Sequence, residues 1–228
     1  MIFIGLDDTD TLETRGTGHL ARHIAAALAA DYVVLGVIRH QLLRDPRVPC
    51  TKNNSSAAIL LDGHPAMSSA ELTERLRAMM LDDFQPGSDP GLCVASLVPE
   101  AVVEFGRRTQ RELITQDEAR SLAAAHAIPL LGLGGDENGV IGALAAVGLA
   151  ASGNDGRYVL VGRLRAMAGL HPVPALLEAG IAAVQTLDGQ PVTTGLVQTD
   201  KLRPARRNGC PIAVVVWADD CWHSLKLD

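Results

Sequence analysis

Three aspartates within four positions are the residues of this chain best suited to chemistry. Asp7, Asp8 and Asp10 directly follow a short apolar segment. Adjacent carboxylates repel one another unless a cation or hydrogen-bond donors neutralise them, and hard oxygen ligands suit magnesium far better than zinc. The pattern predicts a magnesium site that carries a phosphate ligand. The alternative is a solvated turn in which the aspartates cap the backbone.

A polar loop with glycines leads from the acidic turn into a helical pattern. Gly16 and Gly18 flank Thr17 at the start of that helix. Such a loop leaves backbone N–H groups free to meet an anion. Thr17 is then either a phosphate acceptor or a hydroxyl that caps the helix. Asp10 is either a third metal ligand or base, or a cap for the loop.

A second polar loop lies between two predicted strands and holds a candidate phosphate-binding cation. Lys52 could reach phosphate, and Asn53, Asn54 and Ser55 add hydrogen-bond donors. Farther along, Asp89-Pro90-Gly91 forms a rigid turn whose backbone could approach a nucleotide.

Gly139 opens a helix that is rich in small residues, at 142, 143, 146 and 148. Small side chains allow that helix to pack very close to a neighbouring sheet or subunit, which leaves a homodimer open. Its N-terminus could instead face a ligand phosphate.

The elements that must position these residues follow from hydrophobic periodicity and from turn signals. Thr115 and Glu118 form a capping box at one helix start. The order βαββαβ at the N-terminus is that of the ferredoxin-like split motif, and it predicts an antiparallel sheet with both helices on one face. The acidic turn should therefore lie at one end of this sheet, beside the first helix. The predicted strands are 2–6, 32–39, 56–62, 91–97, 157–165, 192–198 and 211–217, and the predicted helices are 18–30, 68–81, 99–111, 116–126 and 172–183. The fold class is α+β in two layers, with domains at 1–128 and 129–228.

Composition sets limits on the partners of the chain. The 228 residues are 47% hydrophobic but only 3% aromatic, and the formal charge is −6. The small number of aromatic side chains that could stack on bases and the net negative charge argue against this chain alone binding a nucleic acid. The four cysteines form no CxxC pair, which argues against a zinc ribbon. No signal peptide or membrane span is expected, and the cytoplasm is the expected location.

Several segments together resemble the archaeal tRNA(Ile2) agmatinylcytidine synthetase family. The acidic turn with Thr17 and the glycine-opened helix form a moderately specific pair, and the likeness extends along the chain in patches. The matching segments are residues 5–10, Thr17, Pro49 with residues 52–57, residues 89–91, residues 139–148 and residues 208–211.

The resemblance implies a kinase-like domain at 1–128 that uses ATP and magnesium, followed by a ferredoxin-like domain at 129–228. Asp7 and Asp8 match the metal-binding aspartates of the family, with Asp10 as the third candidate ligand. Thr17 matches its phosphorylated threonine, and Lys52 joins Asp7, Asp8 and Thr17 in the catalytic set. The expected cofactor-binding residues are Asp10, Gly16, Gly18, Asn53, Asn54, Ser55, Asp89, Gly91 and Gly139.

The same resemblance bears on substrates. The OB-fold and zinc ribbon that would hold tRNA are missing here, so stable tRNA binding by this chain alone is not expected. Residues 155–158 depart from a His-Thr pair of the family, so the expected partners are ATP and a small-molecule or nucleotide acceptor other than agmatine. The alternatives are a noncatalytic nucleotide-binding module and a tRNA-modifying subunit with a separate RNA-binding partner.

Overall fold

A computed structural model describes residues 1–63, 66–200 and 202–227 of the chain. They form two compact units, Met1–Ser152 and Gly153–Asp228. Helices and mainly antiparallel strands occur together in an α+β fold, as the sequence predicts.

The first unit contains a five-stranded antiparallel sheet with the strand order β5-β4-β1-β3-β2. Its first six elements have the predicted order βαββαβ, and the capping box of Thr115 and Glu118 begins α4 as predicted. The elements are β1 (Ile2–Asp7), α1 (Thr17–Leu28), β2 (Val34–Gln41), β3 (Ser55–Leu61), α2 (Ser69–Asp82), β4 (Gly91–Ala95), α3 (Glu100–Arg108), α4 (Gln116–Ala125), β5 (Leu130–Gly132) and α5 (Gly139–Ser152).

The central strand β1 presents two different faces. Successive side chains of a strand point to opposite sides, so Ile4 and Leu6 share one face while Gly5 and Asp7 share the other. Ile4 and Leu6 are fully buried. The opposite face meets α5, because a Cβ atom on Gly5 would lie 1.9 Å from the carbonyl oxygen of Ala143. Asp7 therefore leaves the sheet on the side that α5 covers.

Helix α5 belongs to the first unit, which corrects the predicted boundary near residue 128. Most of its residues are buried, and it packs against β1, β3, β4 and α3. The approach to the start of α3 is close, since a Cβ atom on Gly148 would lie 2.0 Å from the carbonyl oxygen of Val102. The small residues thus serve close packing against a sheet, and the division falls after Ser152.

The second unit differs from the two-helix order expected of a ferredoxin-like domain. In its described part, α6 is the single α-helix, and it has six residues. The strands follow the order β6-β10-β11-β12-β9-β7, with β8 paired in parallel to β11. The elements are β6 (Arg157–Leu160), a 3-10 turn (Leu164–Ala166), β7 (Leu170–Pro172), α6 (Val173–Glu178), β8 (Ala183–Thr186), β9 (Leu196–Gln198), β10 (Ala205–Arg207), β11 (Cys210–Ala218) and β12 (Cys221–Ser224).

The predicted strand 157–165 and helix 172–183 are both shorter in the structure, because glycines at 162 and 180 with positive φ angles interrupt them. Across the described residues, no helix has the length and apolar character needed to cross a membrane.

Candidate active site

Asp7 lies at the end of β1, where Gly142 of α5 has no side chain and so leaves space for the carboxylate. It pairs across the sheet with Gly91 of β4. A Cβ atom on Gly142 of α5 would lie 1.8 Å from Oδ2 of Asp7, which is far inside van der Waals contact. The carboxylate of Asp7 therefore occupies space that any other residue at position 142 would fill.

The pKa values of Asp7 and Asp8 are both raised. Burial is the main cause for Asp7, the charge of Asp8 adds to it, and the pKa reaches about 8. For Asp8 burial again comes first, followed by the charges of Asp89 and Asp10, and the pKa reaches about 6. Both shifts mean that the ionised carboxylates are held in unfavourable surroundings. A divalent cation would relieve this repulsion.

The backbone turns sharply at Asp8. Its φ angle is 51°, in the left-handed region that residues other than glycine rarely adopt. Such a conformation costs roughly 1 kcal/mol. The turn carries the chain from the end of β1 into the loop before α1, and it sets the directions of Asp7 and Asp8 next to each other.

Asp10 connects the start of α1 to the second polar loop. Its Oδ1 accepts hydrogen bonds from the backbone N of Thr17 at 3.2 Å and from Oγ1 of Thr17 at 3.0 Å. Its Oδ2 accepts from Oγ1 of Thr51 at 3.1 Å. Of the two interpretations of Asp10, the observed contacts are those of a cap, although they leave the carboxylate adjacent to the Thr17 hydroxyl.

Thr17 is buried and is the first residue of α1 rather than its N-cap. Its Oγ1 donates to Asp10 and accepts hydrogen bonds from the backbone N of Thr9 at 3.4 Å and from Oγ1 of Thr9 at 3.2 Å. The hydroxyl thus has its proton directed at a carboxylate.

In the described ranges, no group of three or more His, Cys, Asp or Glu side chains is placed to hold a metal ion. Asp7, Asp8 and Asp10, which the sequence suggests as three metal ligands, therefore do not lie together as a three-carboxylate metal site. Magnesium often takes only one or two carboxylates from the protein, with waters and substrate phosphates completing its octahedron. Asp7 and Asp8 fit that smaller role, and Asp10 is engaged elsewhere.

Two adjoining cavities surround these residues. The first has a volume of about 210 Å³ and contains the acidic pair, and the second has a volume of about 220 Å³. Both are lined by one shared set of polar residues, which are Asp10, Thr17, Thr51, Asn53 and Ser55. The acidic turn and the second polar loop therefore line the same pair of cavities.

The second cavity is the more basic of the two. Lys52 and Arg39 line it, together with Gly16 and Gly18 at the start of α1. No hydrogen bond or ion pair joins Lys52 to another described residue. The N-terminal end of a helix carries a partial positive charge, so this cavity suits an anion.

The first cavity also has an aliphatic wall that sequence reasoning did not identify. The wall comes from the segment after β2, the loop after α3 and one turn of α5, and its members are Leu42, Leu43, Leu113, Ile114 and Ile141. These side chains are far apart in the sequence, and no local pattern connects them. The sequence predicts only a packing role for Gly142, because its proximity to Asp7 depends on the docking of α5.

Asp89, Gly91 and Gly139, expected to bind the cofactor, line neither cavity. Asp89 accepts hydrogen bonds from the backbone N of Asp136 at 3.0 Å and from Nδ2 of Asn138 at 3.1 Å. Gly91 and Gly139 are in close contact, since a Cβ atom on Gly91 would lie 2.1 Å from the carbonyl of Gly139. These residues shape the approach of α5 to β4, and Asp89 acts on the site through its charge on Asp8.

Comparison with known proteins identifies a fold. No protein-family profile matches the chain. No curated protein sequence matches it either. Three solved structures have a similar chain. A tRNA fluorescent labeling enzyme matches with a TM-score of 0.56 and 24% identity. Apo TiaS (tRNAIle2 agmatidine synthetase) matches with a TM-score of 0.53 and 23% identity, and TiaS in complex with tRNA(Ile2) and ATP matches with a TM-score of 0.54 and 25% identity.

Each match covers 64% of this chain and 35 or 36% of the solved one, so the likeness spans about a third of those proteins. At this level of identity it establishes a TiaS-like fold over 64% of the chain, in keeping with the resemblance found in the sequence.

Proposed function

We propose that this chain is an ATP- and magnesium-dependent enzyme that phosphorylates or activates a small-molecule or nucleotide acceptor. One observation carries the proposal: the Asp7 carboxylate fills the space above Gly142 at the edge of a cavity, next to Asp8, in surroundings that raise both pKa values. A similar fold binds ATP in the TiaS complex. A cluster of this kind costs stability unless a cation compensates for it.

Asp7 and Asp8 are the residues that would hold magnesium, each through carboxylate oxygens. When bound, magnesium-ATP supplies the phosphoryl group and neutralises the charge on its oxygens. The raised pKa values of Asp7 and Asp8 mean that ionisation of these side chains is unfavourable in the free protein, and a bound cation would offset that cost. The sharp turn at Asp8 keeps both carboxylates at the edge of the first cavity.

The second cavity is the proposed site of the phosphate groups. Lys52 supplies a charge with no protein partner among the described residues, and Asn53 and Ser55 add polar groups at the boundary of the two cavities. The first turn of α1 at Gly16 and Gly18 adds partial positive charge. Positioning and charge stabilisation of this kind are most of what phosphoryl transfer requires from a protein.

Thr17 is the proposed internal phosphate acceptor. Thr17 lines both cavities, and its hydroxyl donates to Asp10, which would take the proton as the Thr17 oxygen bonds to the γ-phosphorus of ATP and the bond to the ADP oxygen breaks. The aliphatic wall of the first cavity would contact the apolar part of the acceptor or of the nucleotide base.

The test is incubation with magnesium and γ-labelled ATP. We expect label on the protein or steady hydrolysis, and Asp8→Asn should lower either by at least about 100-fold, because it removes a charge that holds the metal. Asp31→Asn is the matched control, since Asp31 pairs with Arg75 on the surface, and it should retain full activity. If calorimetry detects no magnesium-ATP binding to the wild-type chain, the proposal fails.

A noncatalytic nucleotide-binding module is the second candidate. The burial of Thr17 and its contacts with Thr9 and Asp10 favour it, since all three fit a purely structural role. Magnesium-ATP binding without label or turnover, in the presence and absence of pooled tRNA and a polyamine panel, would support this candidate. Turnover only with tRNA would instead support a tRNA-modifying subunit, in keeping with the tRNA held by the solved TiaS complex.

A further inference from the structure

Ser56 carries a buried hydroxyl that lacks a hydrogen-bond partner. It belongs to β3 and is 1% exposed. Among the residues that the structure describes, no group forms a hydrogen bond with its Oγ atom, and solvent does not reach that atom. A buried polar group without a partner lowers the stability of the folded chain, so its presence requires a physical explanation.

Other buried hydroxyl groups of the first unit do have partners. Oγ1 of Thr73 donates to the carbonyl oxygen of Ser69 at 2.8 Å, and Oγ of Ser88 donates to that of Gln85 at 2.8 Å. Both acceptors lie three or four residues earlier in a helix or a turn, which is the usual local arrangement. A strand offers no such local acceptor, because its carbonyl groups are directed at the neighbouring strands. Ser56 therefore depends on a partner from another element.

The register of the sheet places Ser56 beside Asp7. Leu6 of β1 lies opposite Ala57 of β3 in an antiparallel pair, and the next pair of the same register is Asp7 and Ser56. Opposed residues point to the same face of a sheet, with their Cβ atoms about 5 Å apart. Gly5 and Asp7 share the face that α5 covers. The unpartnered hydroxyl therefore lies next to the proposed metal-binding carboxylate.

Ser56 also lines the second cavity, but its hydroxyl lies on the other side of the sheet. Ser55 and Ala57 point to the face opposite that of Ser56, as does Arg39, which is paired with Ala57. These three residues line the second cavity as well. Ser56 thus contributes other atoms to the wall of that cavity, and its Oγ atom remains on the side that holds Asp7.

We infer that Ser56 is a positioning residue whose hydroxyl donates a hydrogen bond to the Asp7 carboxylate when that carboxylate binds magnesium. The inference rests on the proposed function, because it requires a metal at Asp7. Carboxylates that bind metals are commonly oriented by hydrogen bonds from neighbouring residues. A serine hydroxyl changes direction by rotation about one bond, and Ser56 has no side-chain hydrogen bond among the described residues that would have to break first.

Calorimetry of two ligands tests this role, because Ser56 would act only through the metal. The ligands are magnesium-ATP and ATP in EDTA. Ser56→Ala should weaken binding of magnesium-ATP by about 10-fold and leave binding of ATP in EDTA unchanged. Its melting temperature in EDTA, measured by circular dichroism, should equal or exceed that of the wild type, because a methyl group replaces a buried hydroxyl without a partner.

Two further variants make the outcome specific. Thr73→Val removes a buried hydroxyl that does have a partner, in α2. It should lower the melting temperature by about 2 °C or more and leave both dissociation constants unchanged. Ser56→Cys replaces the hydroxyl with a group of similar size that is a weak donor, so it should weaken magnesium-ATP binding as Ser56→Ala does. If Ser56→Ala does not fold, Ser56→Cys takes its place.

The possible results separate this inference from the proposed function. If the wild type does not bind magnesium-ATP, the proposed function fails and the inference fails with it. If the wild type binds magnesium-ATP and Ser56→Ala binds it equally tightly, only the inference is overturned. Weaker binding of ATP in EDTA by Ser56→Ala would indicate that the hydroxyl contacts phosphate, which overturns its link to Asp7. Lower stability with unchanged affinity would indicate a structural role and would overturn the inference as well.

Discussion

Asp7 lowers the stability of the protein when no metal is bound, and this gives the first prediction at the scale of single residues. Its folded pKa of about 8 lies above the ordinary value of 3.8, so at neutral pH folding disfavours the charge that the unfolded chain carries freely. Asp7→Asn should therefore raise the free energy of unfolding by about 1–3 kcal/mol in the presence of a chelator. The same change should abolish magnesium-ATP binding. Denaturant titration and calorimetry measure the two effects.

Asp31→Asn is the control for both predicted effects of Asp7→Asn, the gain in stability and the loss of magnesium-ATP binding. Its carboxylate lies 2.6 Å from Nη1 of Arg75 on the surface, so its loss should lower stability slightly and leave nucleotide binding intact. Loss of stability in Asp7→Asn, or wild-type affinity for magnesium-ATP, would show that this carboxylate serves the fold rather than a metal.

The sequence revealed the acidic pair but not the partners of its third member. Asp7 and Asp8 are adjacent in the chain, and their mutual repulsion can be predicted from that fact alone. Asp10 accepts hydrogen bonds from Thr17, seven residues away, and from Thr51, 41 residues away. The second contact depends on how two loops come together, and no local signal encodes it. Asp10 is thus the one of the three whose assignment as a metal ligand the geometry does not favour.

At the scale of elements, the close approach of α5 to β1 couples the fold to the site. Gly142→Ala would place a Cβ atom 1.8 Å from Oδ2 and 2.4 Å from Cγ of Asp7, so either the helix or the carboxylate must move. We expect a loss of about 2 kcal/mol or more in stability. In an Asp7→Ala background the nearest remaining contact is the Cβ atom of residue 7, at 2.9 Å, so part of the loss should be recovered.

Gly148→Ala is the matched control for this double-mutant cycle. A Cβ atom there meets the backbone carbonyl of Val102, away from Asp7, at 2.0 Å. Its cost should be the same with and without Asp7→Ala. If the cost of Gly142→Ala were equally insensitive to residue 7, the carboxylate would not occupy the space that the structure gives it. Unfolding free energies of the six chains settle the comparison.

The elements also show why some assignments follow from sequence and others do not. Thr115 and Glu118 are a local signal, and they form the capping box at the start of α4. The βαββαβ order follows from periodicity that each segment carries by itself. Helix α5 has no such signal for its partner, because a helix that is buried on nearly all sides has no polar face to orient it. The sequence therefore gives no local reason to place α5 in the first unit.

At the scale of the whole molecule, the acidic balance of the chain conceals a difference between its units. The formal charge is −6, yet residues 153–228 contain eight Lys and Arg against seven Asp and Glu. The negative charge therefore belongs to the first unit, which contains Asp7 and Asp8. An argument from total charge against anion binding therefore applies to the chain on average and not to the second unit.

The division after Ser152 gives the last prediction. A fragment of residues 1–152 keeps α5 on β1, β3 and β4, whereas a fragment of residues 1–128 loses β5 and α5 and exposes that face of the sheet. Because α5 is buried along most of its length, we expect residues 1–152 to unfold cooperatively by circular dichroism and residues 1–128 to aggregate or to remain largely unfolded. Only the longer fragment keeps Gly142 beside Asp7, so only it should bind magnesium-ATP. A cooperative melt of residues 1–128 matching that of residues 1–152 would mean that α5 adds little to the first unit, and the active site would then have to form without the helix that shapes it.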